Sequence, residues 1–417
     1  MRAILGTMLD GDLSNLAVKS ASGPCGPTYL VGLTFEDLSR HVCIIGGTGT
    51  GKTITQLRLV STFMRLSEAN PGEPPIRILF VDAKGIADDN RRQFGELAWS
   101  RGYRNIRYWP ESPLCGFDGT SEQLRERLSG LFHGGESPFH HAEAVTMLDL
   151  ALGVGSPPRS LGELIERVRP GVTAALYERE VSERALALKT EAASFSATQW
   201  NSVYLRLRAL AATVGDRFDS SDAAWSIGDV DAAWISVPGT SSPQTAGDVA
   251  SWVLSMIGEL ATSPDNRRTI ICLDEFSAVG QDQRASQFAA GLVERTRSAG
   301  IAIVIGAQTV ASLGESADRL LQTCGTVVTH RTPLPDSIVE LAGTIQVWED
   351  SQTVDGFGVR MATSGRLQQQ YRTQPDLIRS LPVGEAVIIQ SGRWAHVAMA
   401  PPKYQLEPPR STDDLST

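Results

Sequence analysis

The sequence predicts an α/β protein, a doubly wound sheet interrupted by an inserted all-α domain. Three observations carry this. The octapeptide Gly46-Gly47-Thr48-Gly49-Thr50-Gly51-Lys52-Thr53 completes the pattern G-x-x-x-x-G-K-[ST], and it stands between an apolar run and a helical stretch. Short apolar runs alternate with helical periodicity in both the first and last thirds of the chain. From about Thr120 to Ala224 strand-like runs disappear and helical periodicity dominates. The glycine-rich pattern narrows the sheet to that of a P-loop NTPase.

Taken in order, Thr28–Thr34 reads as a short first strand, preceded by roughly 27 residues with no assigned element. His41–Ile45 reads as a buried parallel strand and Ile54–Arg65 as the helix after the P-loop. Arg77–Asp82 is a second buried strand ending in an acid, at the edge where open α/β sheets gather ligands. A helix over Asp89–Arg101 and a strand over Asn105–Trp109 follow. The helical region contains SEQLRERLSGLF, AEAVTMLDLAL, LGELIERV and WNSVYLRLRALAATV, punctuated by Pro157-Pro158 and Arg169-Pro170-Gly171. Trp200 and Tyr204, four residues apart, read as core packing.

The α/β pattern then resumes with strands at Ala233–Val237, Thr269–Asp274, Ile301–Ile305 and Thr326–Thr329. Helices are expected over 244–262 and Asp282–Ala299, and a terminal hairpin over Glu385–Gln390 and Ala395–Met399. The Pro-rich polar tail from Pro401 reads as disordered. The expected organisation is therefore an ATPase domain in two parts, 1–119 and 225–400, an all-α insertion over 120–224, and a tail over 401–417.

The 417 residues suffice for a large core and two or more domains. The five cysteines (Cys25, Cys43, Cys115, Cys272, Cys324) contain no C-x-x-C pair, which fits reduced thiols rather than a disulfide framework or zinc site. The histidines show no ligand spacing, and His140-His141 reads as surface. No stretch approaches the roughly 18 apolar residues that span a bilayer. Asp10 and Asp12 come too early for a signal peptide. A cytoplasmic protein is expected. The net charge of −9 argues against coating nucleic acid with the whole surface, though not against a ring with a locally basic channel.

The motifs define a chemistry. Glycines let backbone N–H groups turn inward on a phosphate chain, and the following helix N-terminus adds its dipole. Lys52 is the residue to reach the β- and γ-phosphates, and Thr53 the hydroxyl for Mg²⁺. Asp274-Glu275, closing a hydrophobic strand, form a Walker B pair: Asp274 for the Mg²⁺ shell, Glu275 to polarise the attacking water. Gln308, after the next strand, can sense the γ-phosphate or lytic water because its amide both donates and accepts. Arg297 is a candidate for an arginine presented across a subunit boundary, or a helix-end dipole partner; Arg331 competes for the same role.

Together these pieces resemble the FtsK/HerA superfamily of ring-forming DNA motors, and within it the type IV coupling proteins (the TraD/TraG group) of conjugation and type IV secretion. The carrying features are HVCIIGGTGTGKT, ILFVDAKG, the helical insertion, AAWISVPG, TIICLDEF, RTRSAGIAIVIGAQT and LPVGEAVI, in the family's order over most of the chain. The resemblance implies a RecA-like P-loop NTPase fold and a hexameric ring of ATPase domains around DNA, with the helical insertion receiving the substrate. It implies ATP and Mg²⁺ as cofactors, and relaxase or secretion-channel proteins as partners. The same resemblance assigns the roles above to Lys52, Thr53, Asp274, Glu275, Gln308 and Arg297, and puts Asp82 and Lys84 of its Asp-x-Lys-Gly motif near the nucleotide.

Two departures stand out. The acid that usually follows Lys-Gly is replaced by Ile86, with Asp88 and Asp89 displaced downstream. Coupling proteins usually begin with transmembrane helices, and this sequence holds none, so a membrane link at the inner face of the bacterial membrane is expected only through a partner. Two other functions fit the same motifs: a soluble HerA-like motor working with a nuclease, and an ATP-switched module that recruits a protein substrate. HerA proteins usually carry an N-terminal β-barrel, for which the residues before the first strand leave no room.

Overall fold

The structure is a computed structural model that describes residues 2–13, 17–23, 26–68, 72–84, 89–129, 132, 138–237, 243–262, 265, 267–277, 283–354 and 360–403. The chain forms two units, one from Met1–Leu66, Ala302–Ser312 and Ala317–Thr417, the other from Ser67–Ile301 and Leu313–Ser316.

The first unit is built on β1 (Arg2–Gly11), β2 (Ala17–Gly23), β3 (Gly26–Thr34) and β4 (Val42–Ile45). Later segments add β9 (Ile301–Ala307), β10 (Thr326–Thr329), β13 (Glu385–Gln390) and β14 (Arg393–Met399). The strands run in the order β2-β3-β1-β14-β13-β10-β4-β9. β4 lies between β9 and β10, parallel to both. All four of its residues are buried, the unbroken apolar pattern of a strand covered on both faces. From β10 outward the pairing is antiparallel, through β13, β14, β1 and β3 to β2. Helix α1 (Phe35–Ser39) is capped by Thr34 and Asp37 in a reciprocal box. Helix α2 (Lys52–Glu68) follows the P-loop. Arg58 on α2 donates to the carbonyls of Ile4 and Pro401, and Ser61 to that of Pro402, so the first strand and the start of the tail are tied to this helix. Residues 404–417 of the expected tail lie outside the described residues.

Two strands stand where the sequence reading has none before Thr28. β1 buries Ala3, Ile4 and Leu5. Four consecutive residues are buried, and the register with β3 shifts between Ile4 and Gly6. At Gly6 a side chain has no room: an added Cβ would sit 2.1 Å from the Ala398 carbonyl oxygen. A second pair, β11 (Thr344–Val354) and β12 (Arg360–Tyr371), forms its own antiparallel ribbon with Trp348 opposite Leu367. The ribbon is rich in glutamine and presents no apolar period, so only its cross-strand ladder makes it a strand pair.

The second unit holds β5 (Arg77–Asp82), β6 (Ile106–Trp109), β7 (Ala232–Ser236) and β8 (Thr269–Asp274) in the order β8-β5-β7-β6, all parallel. Helix α3 (Asp89–Ser100) packs on them, and Phe80 stacks on Trp234 with centroids 4.1 Å apart. Between β6 and β7 the described residues form six α-helices and no strand: α4 (Ser121–Ser129), α5 (Pro138–Gly153), α6 (Leu161–Arg167), α7 (Val172–Tyr177), α8 (Glu183–Ser194) and α9 (Ala197–Val214). Serines 160, 182 and 196 accept the N-terminal amides of α6, α8 and α9. α9 buries Trp200, Val203, Leu207, Leu210 and Val214, one stripe at helical spacing. Trp200 belongs to this core, while Tyr204 is half-buried. The two ends of the helical region are laced together: the amides of Leu114, Cys115 and Gly116 donate to the carbonyls of Arg217, Trp225 and Phe218. After β7 comes α10 (Pro243–Glu259) and a 3-10 turn, Leu260–Thr262. The helix expected over Asp282–Ala299 is shorter than read. It covers Gln283–Arg295, and Arg297–Ala299 is a 3-10 turn closed by Gly300 at φ 69°. Asp282 lies outside the described residues. Among the described residues no helix is long and apolar enough to cross a membrane.

Candidate nucleotide site

The P-loop joins β4 to α2 in the first unit. Its entrance is tied to the sheet edge. The Gly46 amide donates to Ala307 at 3.1 Å and the Gly47 amide to Arg331 at 2.9 Å. These two N–H groups are thereby occupied within the fold. Farther along, Gly49 (φ 75°) and Gly51 (φ 114°) reverse the backbone before Lys52 and Thr53. Gly46 is buried against His330, and an added Cβ would lie 2.6 Å from the His330 Cβ and 2.8 Å from Thr50 Oγ1. Thr50 Oγ1 donates to the Gly47 carbonyl at 2.8 Å, closing the turn. Thr48 and Gly49 form the exposed crest. The Lys52 ammonium is buried within the loop, donating to the Gly46 carbonyl at 2.7 Å and to that of Gly47 at 3.1 Å. Thr53 is half-buried one residue on.

His330, at the end of β10, is a site residue that the sequence reading missed. It is 1% exposed. Its Nδ1 lies 2.9 Å from the Glu385 carbonyl, which can only accept, so Nδ1 carries the proton. Nε2 then accepts from Thr55 Oγ1 at 3.0 Å, one turn into α2. Burial holds this imidazole down to about 4; the Glu385 carbonyl opposes the shift and the Lys52 charge adds to it. A neutral histidine thus braces the phosphate loop from behind. No periodicity marks it: it stands one residue past a four-residue strand.

Gln308 directly follows β9 and is half-buried; its neighbour Ala307 takes the Gly46 amide, so Gln308 stands at the base of the loop. Arg331 belongs to the same unit and meets the loop through its carbonyl, with its side chain exposed.

The acids are in the second unit. Asp82 ends β5 and Asp274 ends β8, and the parallel register sets them side by side. Both are buried. Glu275 follows with φ 53°, a left-handed turn away from the strand direction, and its Oε1 accepts from Ser277 Oγ at 3.1 Å. The Lys84 amide donates to Asp82 Oδ1 at 3.0 Å, and its ammonium stands 3.6 Å from Asp274 Oδ2 and 3.7 Å from Glu275 Oε2. Asp82, Lys84, Asp274 and Glu275 therefore form one cluster. Gly85, Ile86 and Asp88 lie outside the described residues. Arg297 is exposed on its 3-10 turn.

No protein-family model matches the chain, and no curated protein matches it. Solved structures do. The bacterial conjugative coupling protein TrwBdeltaN70, in its unbound monoclinic form, aligns over 91% of this chain and 88% of its own at 15% identity and TM-score 0.61. The plasmid coupling protein TrwB in complex with ADP and Mg²⁺ aligns over 98% and 97% at 16% identity and TM-score 0.60. VirB4 of Thermoanaerobacter pseudethanolicus aligns over 92% and 96% at 16% identity and TM-score 0.53. The likeness is one of fold: the chain has the RecA-like P-loop NTPase architecture of TrwB, with an inserted all-α region.

Proposed function

We propose that this chain is an ATP-hydrolysing DNA translocase of the type IV coupling protein kind, recruiting and pumping DNA or a DNA–protein complex in conjugation or type IV secretion. The observation that carries the reading is the fold shared with conjugative coupling proteins over nearly the whole chain, with a complete phosphate loop built into it. TrwB has been solved with ADP and Mg²⁺ and with the non-hydrolysable ATP analogue ADPNP. ATP and Mg²⁺ are accordingly the proposed cofactors here.

In this reading the N–H groups up to Thr53 hold the phosphates and Lys52 turns its ammonium from the loop carbonyls to the phosphate oxygens. Thr53 and Asp274 are the Mg²⁺ ligands. A buried carboxylate and a hydroxyl are the hard oxygen donors that suit Mg²⁺, which takes one or two protein oxygens and would complete its shell with phosphates and water. The bound ion offsets charge on the phosphates. Glu275 accepts the proton of the attacking water, Gln308 orients that water, and Arg297 acts on the neighbouring protomer of a hexameric ring. Arg331, whose side chain is exposed beside the P-loop, competes with Arg297 for that role. The helical insertion, taken as a domain over 120–224, receives relaxase or channel proteins. DNA is gripped through its phosphates, independently of sequence.

ATP hydrolysis measured with and without single- and double-stranded DNA tests the reading, comparing wild type with Lys52→Ala and Glu275→Gln. DNA-stimulated turnover that falls at least a hundredfold in both variants (roughly 3 kcal/mol of barrier) is expected. Turnover indifferent to DNA would instead favour the ATP-switched recruitment module.

A further inference from the structure

Lys84 is the one member of the acid cluster with a positive charge, and its placement follows from the end of β5. The backbone amide of Lys84 is bonded to Asp82 Oδ1, which turns the chain so that the side chain returns over the end of β8. There the ammonium is 3.6 Å from Asp274 Oδ2 and 3.7 Å from Glu275 Oε2. Asp274 is buried, Glu275 is mostly buried, and Lys84 itself is 36% exposed, at the rim. Adjacent carboxylates withdrawn from water require a counter-charge, and the ammonium supplies it.

We propose that Lys84 is a displaceable counter-ion of the Walker B acids, which keeps free divalent cations off Asp274 and holds Glu275 in place until Mg²⁺ arrives with nucleotide. The inference rests on the ATPase reading and names a control on the same site. Mg²⁺ binds oxygen ligands at about 2.1 Å and carries two charges, so an ammonium retained beside Asp274 Oδ2 and a dication at that oxygen exclude one another. An ion bearing ATP phosphates brings compensating negative charge for the ammonium to follow. A bare ion brings none, and it must expel the ammonium unaided. Because the lysine stem reaches solvent at the rim, the side chain can leave without opening the core.

The test is Mn²⁺ binding, followed by the electron paramagnetic resonance signal of the free ion, with no nucleotide present. Wild type is expected to bind Mn²⁺ weakly. Lys84→Met, which keeps the stem and removes the charge, is expected to bind it at least tenfold more tightly. Lys84→Arg should resemble wild type, and the gain should vanish in Lys84→Met/Asp274→Asn. Lys84→Gln serves in place of Lys84→Met if the latter does not give a native circular dichroism spectrum. Equal Mn²⁺ affinity in wild type and the uncharged variant overturns the proposal. A parallel titration with ATPγS, read as Mn²⁺ retained with the protein on ultrafiltration because the nucleotide itself chelates the free ion, separates it from the reading beneath it. Nucleotide-dependent Mn²⁺ binding in wild type, with no gain in Lys84→Met alone, rejects the counter-ion and leaves the ATPase. A wild type that binds no Mn²⁺ with ATPγS rejects both.

Discussion

His330 shows how one side chain decides a loop's geometry. It joins Thr55 of α2 to the Glu385 carbonyl and lies against Gly46. It is neutral when folded, titrating at about 4, against 6.5 in the unfolded chain. Between those values the unfolded chain takes up a proton that the folded chain refuses. Stability is therefore lost as pH falls from 6.5 through 4, by up to ~3 kcal/mol. Urea unfolding midpoints of wild type should drop over this window, and His330→Gln should lack that part of the drop. Equal pH slopes in the two proteins would show that the imidazole is not held neutral. The cysteines Cys43, Cys272 and Cys324 are buried and free, as reduced thiols in strands and core should be. Burial raises all three above the ordinary thiol range, Cys324 to about 12.

At the scale of elements, the P-loop distinguishes its two leading glycines. Gly46 has no space for a methyl group, whereas at Gly47 the nearest atoms to an added Cβ are at 3.6 Å, ordinary contact. Gly46→Ala is expected to weaken binding of a fluorescent ADP analogue at least tenfold, since overpacking costs about 1–3 kcal/mol. Gly47→Ala should stay within about threefold of wild type, under roughly 0.7 kcal/mol. The reverse order would mean that the first glycine's close fit to His330 does not control the cradle. A second element-scale joint is Arg127 on α4, 4% exposed, which is bidentate to Glu259 of α10 with both bonds at 2.6 Å and also bonds Asp118. Arg127→Ala should cost about 3 kcal/mol, the low end for a buried pair because both acids keep some solvent. Hydrogen exchange should show α4 losing protection while β5 and β8 keep theirs. Loss spread evenly over all three elements would argue against a local joint.

At the scale of the whole molecule, a chain of net charge −9 that grips DNA must do so through a local basic path. DNA stimulation of ATP hydrolysis should then fall steeply between 50 and 200 mM salt, by about tenfold or more, while hydrolysis without DNA changes little. A salt-independent stimulation would rule out phosphate-led contact. Arg297→Ala should retain nucleotide binding and lose turnover, and mixing it with Lys52→Ala protomers should restore part of the activity if the arginine acts between copies. The same mixing experiment with Arg331→Ala decides between the two arginines, since only the one acting across the boundary should give such a rescue.

What the sequence determined by itself was the chemistry-bearing frame: the P-loop, the strand that ends in Asp274-Glu275, the parallel strands around them, and the long helical region. These are local signals, since a phosphate loop, a buried strand and a capped helix are each written in consecutive residues. The tertiary structure alone decided the rest. It placed β1 and β2 in a sheet where Gly6 must be side-chain-free, and it paired the polar β11 and β12 through a ladder that has no apolar period. It bonded the Gly46 and Gly47 amides to the carbonyls of Ala307 and Arg331, more than 250 residues on. It brought His330 to Thr55, 275 positions apart in sequence, and Lys84 to the acids nearly two hundred residues on. The reason is physical: pairing, burial and counter-charge belong to residues that meet only when the chain has folded, and no window of sequence contains both partners.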